Sequence, residues 1–190
     1  HALAAGVAAR DPRVTVVVAG EAEARGQKVH NLLAALPHLR LGDRYVVFFD
    51  ADALAPPGFL RALLRPLVYR VADLASGYRI VVPEPGSAGA LLVALADHGV
   101  STFPRMRAIG VLSGGSTAIR PEILPRFALD RLWHGALSDD LTLTREAHRL
   151  GVAIHGVHAA LLPSPMALSV PEAYRFGVRQ MQPQQPHLPR

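Results

Sequence analysis

The sequence predicts an α/β fold in which a mostly parallel sheet is flanked by helices. An unbroken β-branched run at 14–18 and a continuous apolar run at 45–49 have the composition of strands that are buried on both faces of a parallel sheet. After each run, apolar residues recur at i, i+3, i+4 and i+7, which is the spacing of one helix face. This alternation of strand and helix is typical of parallel sheets with helical crossovers.

The composition excludes several kinds of site. The chain has 190 residues, 50% of them hydrophobic, and a formal net charge of +5. It contains no cysteine, which rules out disulfides, thiolate zinc sites and a thiol nucleophile. The basic side chains are scattered arginines, apart from the single lysine Lys28. Because they form no basic block interleaved with aromatic residues, nucleic acid is not an expected partner.

The first half of the chain alternates strands with helices. Strands are predicted at 14–18, 45–49 and 74–82, and helices at 29–36, 59–67 and 88–98. A Pro-Pro-Gly sequence predicts a turn just before the second helix, and Ser87 is a candidate cap for the third. The segment 99–109 lacks a clear period and is predicted to be a loop.

The second half contains a glycine-rich strand and two capped helices. Ser-Gly-Gly-Ser at 113–116 lies within an apolar run, where backbone can approach another group closely. Ser138 is a good cap for a helix at 139–150, with Gly151 just past its end. One or two short strands are predicted at 152–162. Ser169 and Glu172 have capping-box spacing before a last helix, and 183–190 is predicted to be a disordered tail.

The chain also has the features of a segment of a longer protein. It begins without methionine, in what has the pattern of the end of a helix at 2–9. No apolar stretch is long enough for a transmembrane helix, since even the most apolar region contains histidines, a serine and prolines. We therefore expect further sequence before residue 1 and after residue 190.

The first candidate for chemistry is the Asp-Ala-Asp sequence at 50–52. Asp50 and Asp52 follow a buried strand, at the position where open α/β sheets bind ligands. Carboxylate oxygens suit Mg²⁺ or Mn²⁺ bridging a diphosphate. The alternative is that both acids solvate a turn.

The second candidate is the acid pair Asp139 and Asp140 at a predicted helix start. The helix dipole favours an ionised carboxylate there, as a general base requires; the alternative is ordinary enrichment of acids in a first turn. Other candidates have structural alternatives as well. Lys28 could lie along a helix surface, Gly114 and Gly115 could form a bulge, and the arginines of the last helix could form a solvated face.

Taken in their order along the chain, these features resemble family 2 glycosyltransferases of the GT-A type. The order is Lys-x-x-Asn at 28–31, Asp-x-Asp at 50–52, Gly-Gly-Ser-x-Ala-x-Arg at 114–120, the acid pair, and an arginine-bearing helix. The likeness is strongest to the ceramide glucosyltransferase branch and its bacterial lipid or polysaccharide relatives. It implies a Rossmann-like GT-A sheet flanked by helices.

The resemblance also implies roles for individual residues. Asp50 and Asp52 would hold Mg²⁺ or Mn²⁺ on the diphosphate of a nucleotide sugar. Asp140 would be the catalytic base, with Asp139 in the place usually held by glutamate. The implied donor-binding residues are Lys28, Asn31, Gly115, Ser116 and Arg179. Trp133 and His134 are candidates for the acceptor side, with packing at a helix end as the alternative.

Two departures from the family pattern predict a truncated domain. Nothing before Val14 supplies the strand and aspartate that bind the nucleoside base, and Gln180 stands where a tryptophan would follow Arg179. We therefore expect 1–182 to be a partial catalytic domain that lacks its N-terminal nucleotide-binding strand. Membrane segments would lie outside this chain, placing the full-length protein on the cytoplasmic face of a membrane.

The expected reaction moves a sugar from a nucleotide-diphosphate donor, of which a UDP-sugar is the expected example, to a hydroxyl of a lipid or polysaccharide. One base without a second carboxylate nucleophile indicates a single displacement with inversion. Two other functions stay open. One is a degenerate GT-A domain kept for binding or scaffolding, and the other is a haloacid-dehalogenase-type phosphatase. The phosphatase needs a lysine downstream of its first aspartate, whereas Lys28 lies upstream.

Overall fold

The computed structural model describes residues 2–101 and 110–181. The helices are α1 (Ala2–Ala8), α2 (Gln27–Ala35), α3 (Phe59–Val68), α4 (Ala88–Ser101), α5 (Leu124–Phe127), α6 (Leu129–Leu132), α7 (Asp139–Arg149) and α8 (Val170–Met181). The strands are β1 (Val46–Phe49), β2 (Leu74–Pro83), β3 (Ser116–Ile119) and β4 (Ile154–Met166). Short 3₁₀ turns follow α2 at Leu36–His38 and precede α5 at Pro121–Ile123.

The four strands form one mixed sheet in the order β1-β3-β2-β4. Strand β3 is antiparallel to both of its neighbours, whereas β2 and β4 are parallel. It follows that β1, β2 and β4 point the same way and that β3 alone is reversed. This mixed α/β sheet with flanking helices is consistent with the GT-A-like fold expected from the sequence.

The strand predicted at 14–18 is wrong. Residues 14–20 run without regular structure, and Val18 is 72% exposed. Within the described parts of the chain no strand lies alongside this segment, so its β-branched side chains have no sheet in which to be buried. The segment is held instead by the start of α2, where Gln27 Nε2 donates to Gly20 O and Gln27 Oε1 accepts from Ala22 N.

The sheet separates two hydrophobic clusters. Alternation along β1 sends Val46 and Phe48 to one face and Val47 to the other. On the first face they pack with residues of α2 and α7 and with Trp133, whose ring meets Phe48 edge-on at 5.8 Å between centroids. On the second face the sheet packs against α3. Both clusters hold the end of β1 in a fixed position.

Most predicted helices are confirmed, and so are most of their caps. Ser138 Oγ accepts from Leu141 N at 3.2 Å at the start of α7, and Gly151 after its end has a φ of +66°. Glu172 accepts hydrogen bonds from the backbone and hydroxyl of Ser169. Ser87 does not cap α4 with its side chain, because its hydroxyl pairs with the backbone of Leu168.

Three other expectations have mixed outcomes. The short strands predicted at 152–162 are one long strand, β4, whose register against β2 shifts between Ser76 and Tyr78. The loop predicted at 99–109 is wrong at 99–101, because α4 continues to Ser101, and its remaining residues lie outside the described part of the chain. The predicted tail at 183–190 also lies outside it. None of the helices in the described ranges combines the length and hydrophobicity that a bilayer crossing requires.

Candidate active site

Three chain segments end or begin at the same end of the sheet. Asp50 follows the last residue of β1, and Phe49 is paired in register with Ser116, the first residue of β3. Because β3 is antiparallel to β1, the Gly114-Gly115 turn that leads into it lies beside Asp50. Asp139 is the first residue of α7. The next residue, Asp140, accepts a hydrogen bond from the backbone N–H of Gly114. Segments far apart in sequence are thereby brought together at the carboxyl end of β1.

Lys28 is at the centre of this group. Its ammonium lies 2.7 Å from Asp50 Oδ1 and 3.3 Å from Asp139 Oδ2. It also donates to Gly114 O at 2.8 Å. An ammonium has three donors, so this arrangement occupies all of them. We refer to Lys28, Asp50, Asp139 and Asp140 as the acid cluster.

The two glycines allow the turn to pass close to the acid cluster. A Cβ atom on Gly115 would lie 2.7 Å from Asp50 Oδ2. A Cβ atom on Gly114 would lie 2.7 Å from Lys28 Nζ and 3.1 Å from Asp140 Oδ2. Real Cβ atoms do not make contacts as short as 2.7 Å, so a side chain at either position would displace the end of Lys28 or Asp50 within the acid cluster.

Asp140 is oriented by its own helix and by the glycine turn. Its Oδ1 accepts from Leu141 N at 2.8 Å and from the Ser138 hydroxyl. Its Oδ2 accepts from Gly114 N at 2.9 Å. A carboxylate oxygen has two lone pairs, so Oδ2 keeps one for a further partner. The carboxylate is half-buried and therefore reachable by a substrate.

Asp139 has a different environment. It is only 7% exposed, and burial together with the charge of Asp140 raises its pKa to about 6, against the opposing effect of Lys28. Burial lowers the pKa of Lys28, but Asp139 and Asp50 together outweigh that effect and raise it. At neutral pH the buried carboxylate is therefore ionised and paired with a charged lysine.

Asp52 lies outside the acid cluster. Its side chain is 69% exposed, and its contact is a 3.5 Å ion pair with Arg79 Nη1. Arg79 Nη2 donates in turn to Ser164 Oγ at 2.7 Å. Arg79 is not among the residues predicted from the sequence. The signal for it is that a charged residue interrupts the predicted strand at 74–82. Arg79 is a second cation on this side of the molecule.

Two of the expected donor-binding residues face other groups. Asn31 lies on the exposed side of α2, where its Oδ1 accepts from Gln27 Nε2 at 2.8 Å. Arg179 lies on α8 with its guanidinium 5.4 Å from the centre of the Phe176 ring. Neither has a contact with the acid cluster among those the described residues make. Ser116 lies at the turn as expected, but its hydroxyl is completely buried and has no hydrogen-bond partner in the described structure.

The structure favours packing for Trp133. Its side chain is 0% exposed, and its indole N–H donates to the Asp139 carbonyl at 3.3 Å. A side chain with no exposed surface has none to offer an acceptor, so its assignment to the acceptor side is corrected. It supports the backbone of the acid pair from beneath. His134 is exposed at the end of the short helix α6.

The described residues contain no group of three or more His, Asp or Glu side chains that could hold a metal ion. Mg²⁺ and Mn²⁺ sites in nucleotide-dependent enzymes often need only one or two carboxylates, because substrate phosphates complete the coordination. The exposed Asp52 and the Asp50 oxygen that is not paired with Lys28 are of the chemical type that this partial role needs. The protein by itself supplies no complete metal cage within its described parts.

The comparison with known families agrees with this geometry. A family model described as "Glycosyltransferase like family 2" matches residues 2–186. No curated protein matches the chain. The match covers the acid cluster, the glycine turn and every described helix and strand. The chain therefore belongs to the glycosyltransferase-like family 2, whose members transfer sugars from nucleotide-sugar donors to acceptors.

Proposed function

We propose that the acid cluster is the active site of an inverting glycosyltransferase that moves a sugar from a UDP-sugar to a hydroxyl of a lipid or polysaccharide. Family membership supports the donor class and the transfer reaction. The observation that carries the proposal is that Lys28 joins Asp50 to Asp139, and that the Gly114 backbone joins Lys28 to Asp140, at one end of the sheet.

Asp140 is the base in this proposal. A base for an incoming hydroxyl needs an accessible lone pair in a fixed position. Asp140 is half-buried, and three hydrogen bonds orient it while leaving a lone pair on Oδ2. Asp139 is less suited, because it is nearly inaccessible and is paired with Lys28. Its role is to hold Lys28 and the first turn of α7.

Inversion follows from what the other carboxylates do. A double displacement needs a second carboxylate that is free to attack the anomeric carbon. Asp50 and Asp139 are both engaged by the Lys28 ammonium, and Asp52 lies outside the acid cluster, paired with Arg79. The geometry therefore supports a single displacement, in which the acceptor oxygen loses its proton to Asp140 as it attacks the sugar.

The departing diphosphate needs positive charge nearby. Lys28 is the cation at the end of β1, and Arg79 lies further out beside Asp52. Arg179, expected in this role from the sequence, stacks on Phe176 instead. A divalent cation held by Asp52, Asp50 and the donor phosphates would supply further charge neutralisation when bound.

The closest rival enzyme class is weakened by the family match. The position of Lys28 before Asp50 in the sequence argues against a phosphatase. In the structure, however, Lys28 Nζ lies 2.7 Å from Asp50 Oδ1. Sequence order was therefore a poor argument. The match over residues 2–186 to a glycosyltransferase family supports sugar transfer over phosphate hydrolysis.

The experiment that tests the proposal is Asp140→Asn. We expect nucleotide-sugar affinity to change little while turnover falls by about 10²–10⁴-fold, because the base acts on the acceptor and not on the donor. Donor affinity is measured by calorimetry and turnover by sugar transfer with the full-length protein. Asp140→Glu, which keeps the charge but shifts the carboxylate, should also lose turnover while retaining the fold.

Asp139→Asn is the matched control, since it replaces the adjacent carboxylate by the same amide group. It should cost less in turnover than Asp140→Asn. Equal losses of donor binding in both variants, with turnover reduced only in proportion, would make the pair part of the nucleotide site. Full turnover in Asp140→Asn would rule out the base. Absence of detectable sugar transfer by the wild-type protein would favour the scaffolding alternative.

A further inference from the structure

The orientation of α4 is the reverse of that of an ordinary surface helix. Its exposed residues are mostly apolar, namely Ala88, Leu91, Leu92, Leu95 and Ala96, followed by His98 and Gly99 near its end. The three leucines are 54%, 53% and 64% exposed. Surface helices usually turn charged residues to water and apolar residues to the core, so this face has the character of a covered surface.

The inward side of α4 contains its acid. Asp97 accepts from the Tyr78 hydroxyl at 2.8 Å and from Val81 N at 3.3 Å. Gly89 and Ala90 are buried, and a Cβ on Gly89 would clash with the backbone of Ser169 at the start of α8. The helix is therefore fixed against β2 and α8, and it cannot rotate its leucines inward without breaking these contacts.

The neighbouring helix α8 adds a second apolar stripe and a basic flank. Val170, Tyr174 and Val178 recur every four residues and are 51%, 74% and 42% exposed. Arg175 and Arg179 each follow a member of this stripe, about 100° further round the helix, and both are exposed. We call the exposed apolar residues of α4 and α8, together with these two arginines, the α4–α8 surface.

The α4–α8 surface lies at the same end of the sheet as the acid cluster. Strands β2 and β4 continue their pairing to Pro83 and Met166, well past the end of β1. Helix α4 is bonded to this extension through Asp97 and Val81, and its preceding residue Ser87 is bonded to Leu168 after β4. A surface that docks here therefore faces the end of the sheet that contains the candidate active site.

We propose that the α4–α8 surface docks on an anionic lipid bilayer. Exposed leucines beside tyrosine and arginine are the side chains that enter the interface of a bilayer, where the apolar groups meet acyl chains and the arginines meet lipid phosphates. A second copy of this chain fits less well, because a two-fold contact brings the same basic flank close to itself. The net charge of +5 acts in the same direction, favouring an anionic surface over another copy.

This docking does not depend on sugar transfer, since it needs neither donor nor acid cluster. It extends the proposed function by placing the active-site end of the sheet at a lipid surface. A bilayer-embedded acceptor would then reach Asp140 without leaving the interface. Failure of the docking proposal would leave the proposed glycosyltransferase reaction intact.

Co-sedimentation of the 190-residue chain with lipid vesicles tests the proposal. Vesicles of mixed phosphatidylcholine and phosphatidylserine should bind the wild-type chain, and the triple variant Leu91→Gln, Leu92→Gln, Leu95→Gln should bind roughly tenfold or more weakly. The variant Arg175→Gln, Arg179→Gln should lose about tenfold on these vesicles and little on pure phosphatidylcholine. High salt should reduce the difference between the two lipid compositions.

The matched control changes three exposed leucines elsewhere, Leu3, Leu41 and Leu60, to glutamine. It should bind like the wild type, and circular dichroism should show every variant folded because all six leucines are exposed. Absence of vesicle binding by the wild type, or equal binding by both triple variants, would overturn the proposal. So would a concentration-dependent dimer in sedimentation velocity that the α4 variant abolishes while vesicles bind nothing.

Discussion

At the scale of the residue, neighbouring acids with the same chemistry have different roles. Asp139 and Asp140 are adjacent in sequence, yet one is buried against Lys28 and the other is half-exposed beside Gly114. A helix start turns successive side chains in different directions, about 100° apart. The first member of the pair therefore faces α2 and the second faces the glycine turn.

The pKa of Asp139 has a consequence for stability. Folding raises it from 3.8 to about 6, so between these values the folded protein binds more protons than the unfolded chain. The free energy of unfolding must then fall as pH rises from about 4 to 6, and the loss stays in place at higher pH. Ionised Asp139 is a cost of the active site at neutral pH.

We expect Asp139→Asn to raise the free energy of unfolding at pH 7.5 by on the order of 2 kcal/mol, because it removes the buried charge. The gain should shrink at pH 4, where the wild-type carboxyl is protonated. Urea denaturation at both pH values measures it. Asp130→Asn, at an exposed aspartate, should change stability at neither pH. A destabilised Asp139→Asn protein at pH 7.5 would mean that the Lys28 pair outweighs burial.

At the scale of the element, the turn before β3 decides how closely the site can assemble. Strand β3 is short and is buried along its whole length between β1 and β2. Its pairing fixes Ser116 beside Phe49, so the preceding residue has no freedom to move away from Asp50. A side chain at this point would therefore push the Asp50 carboxylate out of its present position.

Gly115→Ala tests this displacement. The added Cβ would lie 2.7 Å from Asp50 Oδ2, so Asp50 must shift away from Lys28. We expect donor affinity to fall by roughly tenfold, which corresponds to about 1.4 kcal/mol, with a modest loss of melting temperature. Calorimetry with the nucleotide sugar measures the affinity. Gly42→Ala is the control, because nothing lies within 4 Å of its added Cβ. Unchanged affinity in Gly115→Ala would separate Asp50 from the donor site.

At the scale of the whole molecule, Lys28 joins parts of the chain that are distant in sequence. It links α2 to the end of β1, to the turn before β3 and to the start of α7. Its helix is anchored by Val29, which is completely buried in the cluster between the sheet and α7. One side chain thus couples the packing of a helix to the charge balance of the site.

Lys28→Met keeps the aliphatic stem and removes the charge. Asp50 and Asp139 would then lack their cation, so we expect stability at pH 7.5 to fall by about 1 kcal/mol, a figure reduced for the partial exposure of the lysine. The part of this loss that comes from Asp139 should shrink below about pH 6, where that carboxyl takes up a proton, and the pKa of Asp139 should rise in the absence of the lysine. Lys28→Arg should restore part of both effects. A pH-independent loss that arginine does not rescue would indicate a packing role only.

The sequence by itself determined most of the helices, the approximate positions of all four strands and the identity of the acids. These follow from local causes: apolar spacing for α2 and α3, a capping serine for α7, and a β-branched and aromatic run for β1. The same reasoning failed at 14–18, because a strand needs a neighbour and residue spacing does not say whether one is present.

Only the tertiary structure decided which of these residues meet. Asp50 and Asp52 are equivalent by spacing, but the end of β1 turns one toward Lys28 and leaves the other 69% exposed. Arg79 and Arg179 are both arginines on regular elements, and only the first lies beside the Asp-x-Asp sequence. Secondary structure follows from interactions over a few residues, whereas the acid cluster depends on strand order and register. Strand order and register are set by the packing of the whole chain. The sequence therefore identifies the acids, whereas their contacts are determined by the tertiary structure.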